Sequence, residues 1–425
     1  MNVIHLSYSD INGGAFIATY RIHQALLKQG INSQMWVNKK ESDDWTVEDS
    51  NKISKSSKIC KVFRDLDKRV IKYFLFKTFK TENKIIHSPQ IFSSIWMKHI
   101  NNSDADIVHL HWTQHEMLSI EDISKIKKPI VWTLHDMWAF CGAEHYTNDN
   151  RWREGYYPNN RPNYESGFDL NRWTWKRKKK YWNKSIQIVT PSTWLGKCVS
   201  ESALMKSWPV SVIANTIDTN QWTPINKQNA RQLLNLSQDA NLILFGALGE
   251  SKDPRKGFDL LLSALKYLKA DKKIKKIELV VFGQSKPKSQ PDLGFPVHYF
   301  GRLYDDLSLR VLYSAVDLMV VPSRQEAFGQ TASESMACGT PVISFNIGGL
   351  SDIIEHQKTG YLAKAFDVRD LANGIIWVLD QSDPNKLGNN ARERAVEKFS
   401  EKKIMEDYIS IYKKIINLFR SPVNL

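Results

Sequence analysis

The chain has 425 residues, more than one hydrophobic core usually serves, so two domains are expected. Lys and Arg outnumber Asp and Glu by 59 to 45, giving a net charge of +14, which points to an anionic partner without choosing among nucleic acid, phospholipid and phosphorylated substrates. The four scattered cysteines, Cys60, Cys141, Cys198 and Cys338, argue against a zinc site or a disulfide framework and fit a reducing cytoplasm; no basic leader and no apolar window of about 18 residues is present, so neither a signal peptide nor a membrane span is expected.

Taken in order, Asn2 to Ser7 reads as a strand, Asp10 to Ala15 as a glycine-bearing loop and Phe16 to Gln29 as an amphipathic helix ended by Gly30. Gly13 and Gly14 sit between first strand and first helix, where a bare backbone can approach a phosphate. Lys52 to Lys84 interleaves cations with apolar residues, and its Arg64 to Lys80 part is suited to lie on an anionic membrane surface. Asp104-Ala-Asp106 precedes a strand and therefore reads as a solvated turn. Further strands are expected at Ile107 to Trp112, Ile130 to Leu134, Ile186 to Thr190 and Val210 to Ala214. His109 and His111 share one strand face, but no third ligand at suitable spacing accompanies them, so no metal is assigned. His135-Asp136 closes its strand at the carboxyl end, where open α/β sheets bind ligands. The polar stretch Glu144 to Gly167 is expected to be a mobile acceptor-side loop. Arg172 to Trp182 fits either a second membrane-facing helix or one that turns its tryptophans inward beneath a basic face.

The first domain is expected over 1–218, with Asn215 to Pro224 as a hinge, and a second α/β series over 219–398. That series has strands at Leu242 to Gly246, Ile277 to Phe282, Val297 to Phe300, Leu318 to Val321 and Val342 to Phe345. Residues 399–425 carry a charged amphipathic helix, Glu401 to Phe419. Arg255 and Lys256 fall on the loop between the second domain's first strand and first helix, where cations stabilise charge on a leaving diphosphate. Further on, Ser323 to Gly329 is a loop, Thr331 to Ala337 a short helix, and Gly339 and Pro341 stop it. Glu326 lies on the loop and Glu334 on the helix, so helix-start amides near Phe328, Gly329 and Gln330 that favour anions stand beside carboxylates that accept from sugar hydroxyls. A nucleotide sugar needs that combination.

The string from Val320 to Ile343, with both glutamates, resembles the donor-site signature of retaining GT-B glycosyltransferases of family 4. Val189 to Leu195 followed by Val212 to Asp218 is similar to that family's end-of-first-domain pattern, with Ala214 where proline is usual. The resemblance implies an α/β GT-B fold, two Rossmann-like domains facing across a central cleft, with the C-terminal helix crossing back to the first. It also implies that Glu326 contacts the transferred sugar, Glu334 the nucleotide ribose, and His135 the donor sugar near the reacting carbon. Ala247 stands where the commonest pattern has arginine, so Arg255 is the natural substitute. The branch that looks most similar makes polysaccharides of the colanic-acid type.

The expected activity is metal-independent, retaining transfer from a UDP- or GDP-sugar, the co-substrate, to a glycan or polyprenyl-diphosphate-linked acceptor of a bacterial surface polysaccharide. No separate cofactor and no nucleic acid is expected. His135, Lys256 and Glu326 would carry the chemistry; Gly13, Gly14, Arg255, Phe328, Gly329, Gln330 and Glu334 would help to bind the donor. The expected location is the cytoplasm, with peripheral contact at the inner face of the cell membrane. Two other readings stand beside this one: a GT-B nucleotide-sugar hydrolase or epimerase, and a basic nucleic-acid-binding protein, for which no recognised motif is present.

Overall fold

The computed structural model describes residues 1–50, 71, 73–246, 253–270, 276–288 and 292–421. The chain divides into two compact units, Met1–Ile213 together with Met405–Leu425, and Ala214–Ile404. Among the described residues, no helix is long and apolar enough to cross a membrane.

The first unit is built on a seven-stranded sheet in the order β3-β2-β1-β5-β6-β8-β9, parallel throughout. Its strands are β1 (Asn2–Ser9), β2 (Asn32–Lys39), β3 (Val47–Asp49), β5 (Ile107–Leu110), β6 (Ile130–Thr133), β8 (Gln187–Thr190) and β9 (Val210–Val212). A small antiparallel ribbon pairs β4 (Phe79–Thr81) with β7 (Glu165–Gly167). Helix α1 (Gly14–Lys28) follows β1, and α2 (Leu170–Tyr181) precedes β8. The register sets His5 beside His109 and His109 beside Val131. Period-two alternation then puts His5, Ser7, His109, His111 and Thr133 on one face, and Ile4, Leu6, Val108, Leu110 and Trp132 on the other.

The second unit has a six-stranded parallel sheet, β12-β11-β10-β13-β14-β15. Its strands are β10 (Asn241–Gly246), β11 (Ile277–Phe282), β12 (Val297–Tyr299), β13 (Leu318–Val321), β14 (Val342–Phe345) and β15 (Gly360–Ala363). All four residues of β13 are buried, as are all four of β14, the continuous apolar pattern of parallel strands covered on both faces. Leu242 and Leu244 join one core layer with Met319 and Met336, while Ile243 and Phe245 join the other with Val320 and Ile375. The helices of the covering layers include α3 (Phe258–Ala270), α4 (Asp306–Ala315), α5 (Gln330–Ala337), α6 (Val368–Leu379) and α7 (Pro384–Phe399).

The opening segment of the second unit is tied down within that unit: the Ile217 amide donates to the Phe399 carbonyl at 2.8 Å, and Arg392 donates to the carbonyls of Thr219 and Trp222. The last helix, α8 (Glu401–Arg420), brings Tyr408 to the Thr133 hydroxyl at 3.1 Å and Tyr412 to His109 Nδ1 at 2.7 Å. Its far end reaches Asp106 through Arg420 at 2.6 Å, so the Asp104 to Asp106 turn lies at the amino end of β5, as its place in the sequence implies.

At the start of β15, a Cβ on Gly360 would lie 2.0 Å from the Val342 carbonyl oxygen of the neighbouring strand. Gly360→Ala must push those strands apart, so we expect a loss of about 1–3 kcal/mol from overpacking, measured by urea unfolding of the purified chain.

Candidate functional site

In the second unit the loops after β10, β13 and β14 meet through backbone. The chain leaves β10 at Gly246, and Ala247 lies outside the described residues. Residues Pro254–Lys256 form a single 3₁₀ turn, and Gly257 follows with φ of 65°. A Cβ there would sit 1.9 Å from the Pro322 carbonyl oxygen, so only glycine permits this approach. The Arg255 carbonyl then accepts the Arg324 amide at 2.6 Å. On the other side the Glu326 carbonyl accepts the Gly349 amide at 2.9 Å, and a Cβ on Gly348 would fall 2.4 Å from the same oxygen.

These approaches bring side chains together. The Lys256 ammonium is ion-paired with the Glu326 carboxylate, and the Ser323 hydroxyl donates to the same oxygen at 3.0 Å. The lysine side chain remains 42% exposed, against 16% for its partner. Arg255 is turned aside by comparison: its guanidinium forks onto Asp253 at 3.1 and 2.6 Å. Arg324, which motif reading did not single out, pairs with Asp259 at 2.7 and 2.6 Å. That hydrogen bond holds the Asp259 carboxyl below the ordinary carboxylate range.

Gly329 starts α5 with φ of 108° and no capping side chain. A Cβ there would meet Leu350 at 2.6 Å. The first turn of α5, beginning at Gln330, therefore offers its N-terminal partial charge close behind Glu326. The Phe328 ring is buried edge-on against Phe399 at 5.6 Å, so only its backbone belongs to the loop surface. Glu334 is 5% exposed and accepts the Tyr313 hydroxyl at 3.1 Å. Lys256, Glu326 and Gly329 thus lie on adjoining loops, with Gln330 opening α5 and Glu334 one helical turn further in.

In the first unit, Gly13 caps α1 with φ of 133° and Gly14 is its first residue. Asp10 orders this loop, its carboxylate accepting the amides of Ile11 and Glu41 at 3.0 Å and of Ser42 at 2.9 Å. His135 follows β6, and its Nε2 lies 3.1 Å from His111 Nδ1. His111 Nε2 lies 3.0 Å from His5 Nδ1. His5 is the third histidine missing from local spacing: it is more than a hundred residues away and arrives by parallel pairing. Ring nitrogens of His5, His109 and His111 lie within 4.8 Å of one another. Both nitrogens of His109 are already engaged, by Thr133 and Tyr412 at 2.7 Å each. Asp136 is buried and accepts from Trp112, the Trp138 amide and His145; burial pushes its carboxyl up, but His145 and these donors leave it below the usual range.

The stretch Glu144 to Gly167 is not the mobile loop expected of its composition. Arg151 is buried and forks onto Glu165 at 3.0 and 2.7 Å while holding Asp149, and Tyr156 hydrogen-bonds Glu144, whose carboxyl burial raises to about 7. Paired charges let a polar sequence go inside. In α2, Trp175 is buried, as is Trp182 just beyond, and Lys178 is fully buried over the Trp138 ring, donating to the carbonyls of Cys141 and Gly142. Its tryptophans turn inward. The amphipathic helix expected over Arg64 to Lys80 falls partly on residues outside those described; within the Lys52 to Lys84 stretch, residues 73–78 are helical and Phe79–Thr81 is a short strand.

Residues 12–221 match the family model for Glycosyltransferase Family 4, and residues 226–394 match that for Glycosyl transferases group 1. The chain carries one domain of each kind. D-inositol 3-phosphate glycosyltransferase 2 from Catenulispora acidiphila is 33% identical over 203 residues, 44% of this chain and 46% of that protein. The chain matches less than two thirds of the length of such curated relatives. Sucrose-phosphate synthase from Thermosynechococcus elongatus superposes with a TM-score of 0.66 at 20% identity, over 98% of this chain and 100% of that one. HepE from Anabaena, in complex with UDP and glucose, gives 0.63 at 16% identity, over 97% and 99%. The two parallel-sheet units therefore have the GT-B fold.

Burial also makes the first unit acid-sensitive. It drives the His23, His87 and His135 rings down to about 4, and His5, His109 and His111 well below the ordinary value of 6.5. Between about 4 and 6.5 the unfolded chain binds more protons than the folded one, so this stability is complete above 6.5 and lost as pH falls. His23 alone contributes on the order of 3 kcal/mol by pH 4. Twelve of the 14 tryptophans, all but Trp222 and Trp377, belong to this unit, so titration from pH 7 to 4 should produce a cooperative red shift in emission.

Proposed function

We propose that the chain is a retaining, metal-independent glycosyltransferase. It moves a sugar from a UDP- or GDP-sugar to a hydroxyl of a glycan or polyprenyl-diphosphate-linked acceptor, within a colanic-acid-like or related surface polysaccharide pathway of a bacterium. The observation that carries this reading is the Lys256–Glu326 ion pair beside the start of α5, where Gly329 brings no side chain to the helix end. One loop brings a cation and the next a carboxylate, and the loop that carries the carboxylate runs on into the start of α5. A nucleoside-diphosphate sugar presents matching groups: a diphosphate for Lys256 and the α5 amides, sugar hydroxyls for Glu326 and a ribose for Glu334. UDP in the HepE complex makes uracil the first base to test.

In this reaction the bond from the anomeric carbon to the diphosphate oxygen breaks, leaving its electron pair on the diphosphate. The acceptor oxygen attaches on the same face, and its proton passes to the departing diphosphate. Lys256 stabilises the growing negative charge. Arg255 adds a second cation on release from Asp253, Gly13 and Gly14 let backbone approach the substrate, and His135 hydrogen-bonds the donor sugar. Such an enzyme works in the cytoplasm, meeting a lipid-linked acceptor at the inner membrane face. Incubation with a panel of UDP- and GDP-sugars, following nucleotide release with and without glycan acceptors, tests the reading. Cleavage that no acceptor accelerates would instead indicate a hydrolase or epimerase.

Three substitutions test these roles. Glu334→Ala should weaken binding of both donor and free nucleoside diphosphate by calorimetry, whereas Glu326→Ala should lower turnover while leaving free nucleoside diphosphate affinity little changed. Equal effects of the two on nucleotide affinity would contradict the division of labour. Lys256→Ala should lower kcat roughly a hundredfold or more, the magnitude for loss of one preorganised electrostatic stabiliser. EDTA should leave the wild-type rate intact; restoration by Mg²⁺ after chelation would transfer the role of Lys256 to a metal.

A further inference from the structure

Three imidazoles run in a line from the core of the first unit to its surface: His5 Nδ1 to His111 Nε2 at 3.0 Å, and His111 Nδ1 to His135 Nε2 at 3.1 Å. His5 and His111 are buried. A neutral imidazole has one N–H and one bare nitrogen, so the two hydrogen bonds must point the same way along the line. Only two arrangements exist. If the bonds run outward, every ring carries its proton on Nδ1, and the inner end of the line, His5 Nε2, is a bare acceptor. If they run inward, every ring carries its proton on Nε2, and that end is an N–H.

His5 Nε2 is buried and has no hydrogen-bond partner among the described residues. Orphaned buried N–H groups are rarer than under-satisfied acceptors, so the outward arrangement costs less. We infer that His5 and His111 are positioning residues that hold His135 as its Nδ1–H tautomer, making its outer nitrogen a hydrogen-bond donor and not a base. The inference rests on the role proposed above for His135 and narrows it. The ring then gives its proton to an oxygen of the donor sugar, and takes none from the acceptor hydroxyl. A metal held by His5, His109 and His111 is the competing account of the cluster. It would require breaking one of the two hydroxyl contacts of His109 and one of the two imidazole contacts of His111.

Histidine labelled with ¹⁵N and ¹³C in the full-length chain reads the tautomers directly, without substrate. The expected result is His5, His111 and His135 all protonated on Nδ1, with scalar coupling across both N–H···N bonds. His111→Asn, which can still donate from the Nδ1 position, should keep the His135 signal and turnover. His111→Leu should move that signal toward a tautomeric average and lower kcat more than it raises KM for UDP-glucose, or for whichever donor the panel identifies. Protonation of wild-type His135 on Nε2, the same His135 signal in Asn and Leu variants, or stoichiometric zinc in the purified protein would overturn the inference. If His135→Ala leaves turnover unchanged, the proposed role of His135 fails instead, while the tautomer spectrum stands as it was.

Discussion

The second unit depends on two contacts of backbone against backbone, Gly257 on Pro322 and Gly348 on Glu326. Parallel sheets deliver their loops to one edge, but delivery alone leaves loops splayed by the width of the side chains between them. Glycine removes that spacer. Once the turn at 254–257 lies directly on the segment after β13, Lys256 can reach Glu326 and the Arg324 amide can reach the Arg255 carbonyl. Any Cβ at 257 would have to displace a carbonyl oxygen rather than the end of a flexible side chain. The charge arrangement is thus a by-product of backbone geometry, which explains how such a site can be rigid while its lysine remains substantially exposed.

Much of this was readable beforehand because the relevant signals are local. The strands Leu318 to Val321 and Val342 to Phe345 were expected at their observed limits, since a short apolar run bounded by glycine, proline and polar residues has few other solutions. The helix between them begins at Gln330, one residue before the expected start, because Gly329 supplies the positive φ. Pairing was not local and was not readable. Arg255 and Lys256 are neighbours in sequence, yet one turns to Asp253 and the other to Glu326, a difference decided by the 3₁₀ turn. His5 drew no notice as a lone histidine in an apolar strand. The Glu144 to Gly167 stretch was misread because composition reports charge but not its neutralisation, and Arg151 has two carboxylates within reach.

The two units handle polar groups in opposite ways. The second keeps hydrocarbon on both sides of its sheet and confines polar chemistry to the loop edge. The first places histidines, a threonine and two tyrosines at the middle of one sheet face, each hydrogen-bonded to another. Such a layer fixes register, because a one-residue slip of β5 would put His109 and His111 among apolar side chains and Leu110 among polar ones. It does so at the expense of tolerance to acid. Nine of the 11 histidines belong to this unit, so mild acidity acts on one half of the molecule first.

Tyr408 and Tyr412 have a consequence for the order in which the chain matures on the ribosome. They complete the hydrogen bonds of His109 and Thr133, residues synthesised some 300 positions earlier. The segment 214–404, by contrast, contains every strand of its own sheet. The half made first is therefore finished last: its polar layer must wait, hydrated or loosely closed, through the whole synthesis of the other half. Domains generally fold as units in the order they emerge, and this topology departs from that order. A stop codon or proteolytic cut just before Tyr408 would leave the later-made half whole and strand the earlier one short of its last two hydroxyls.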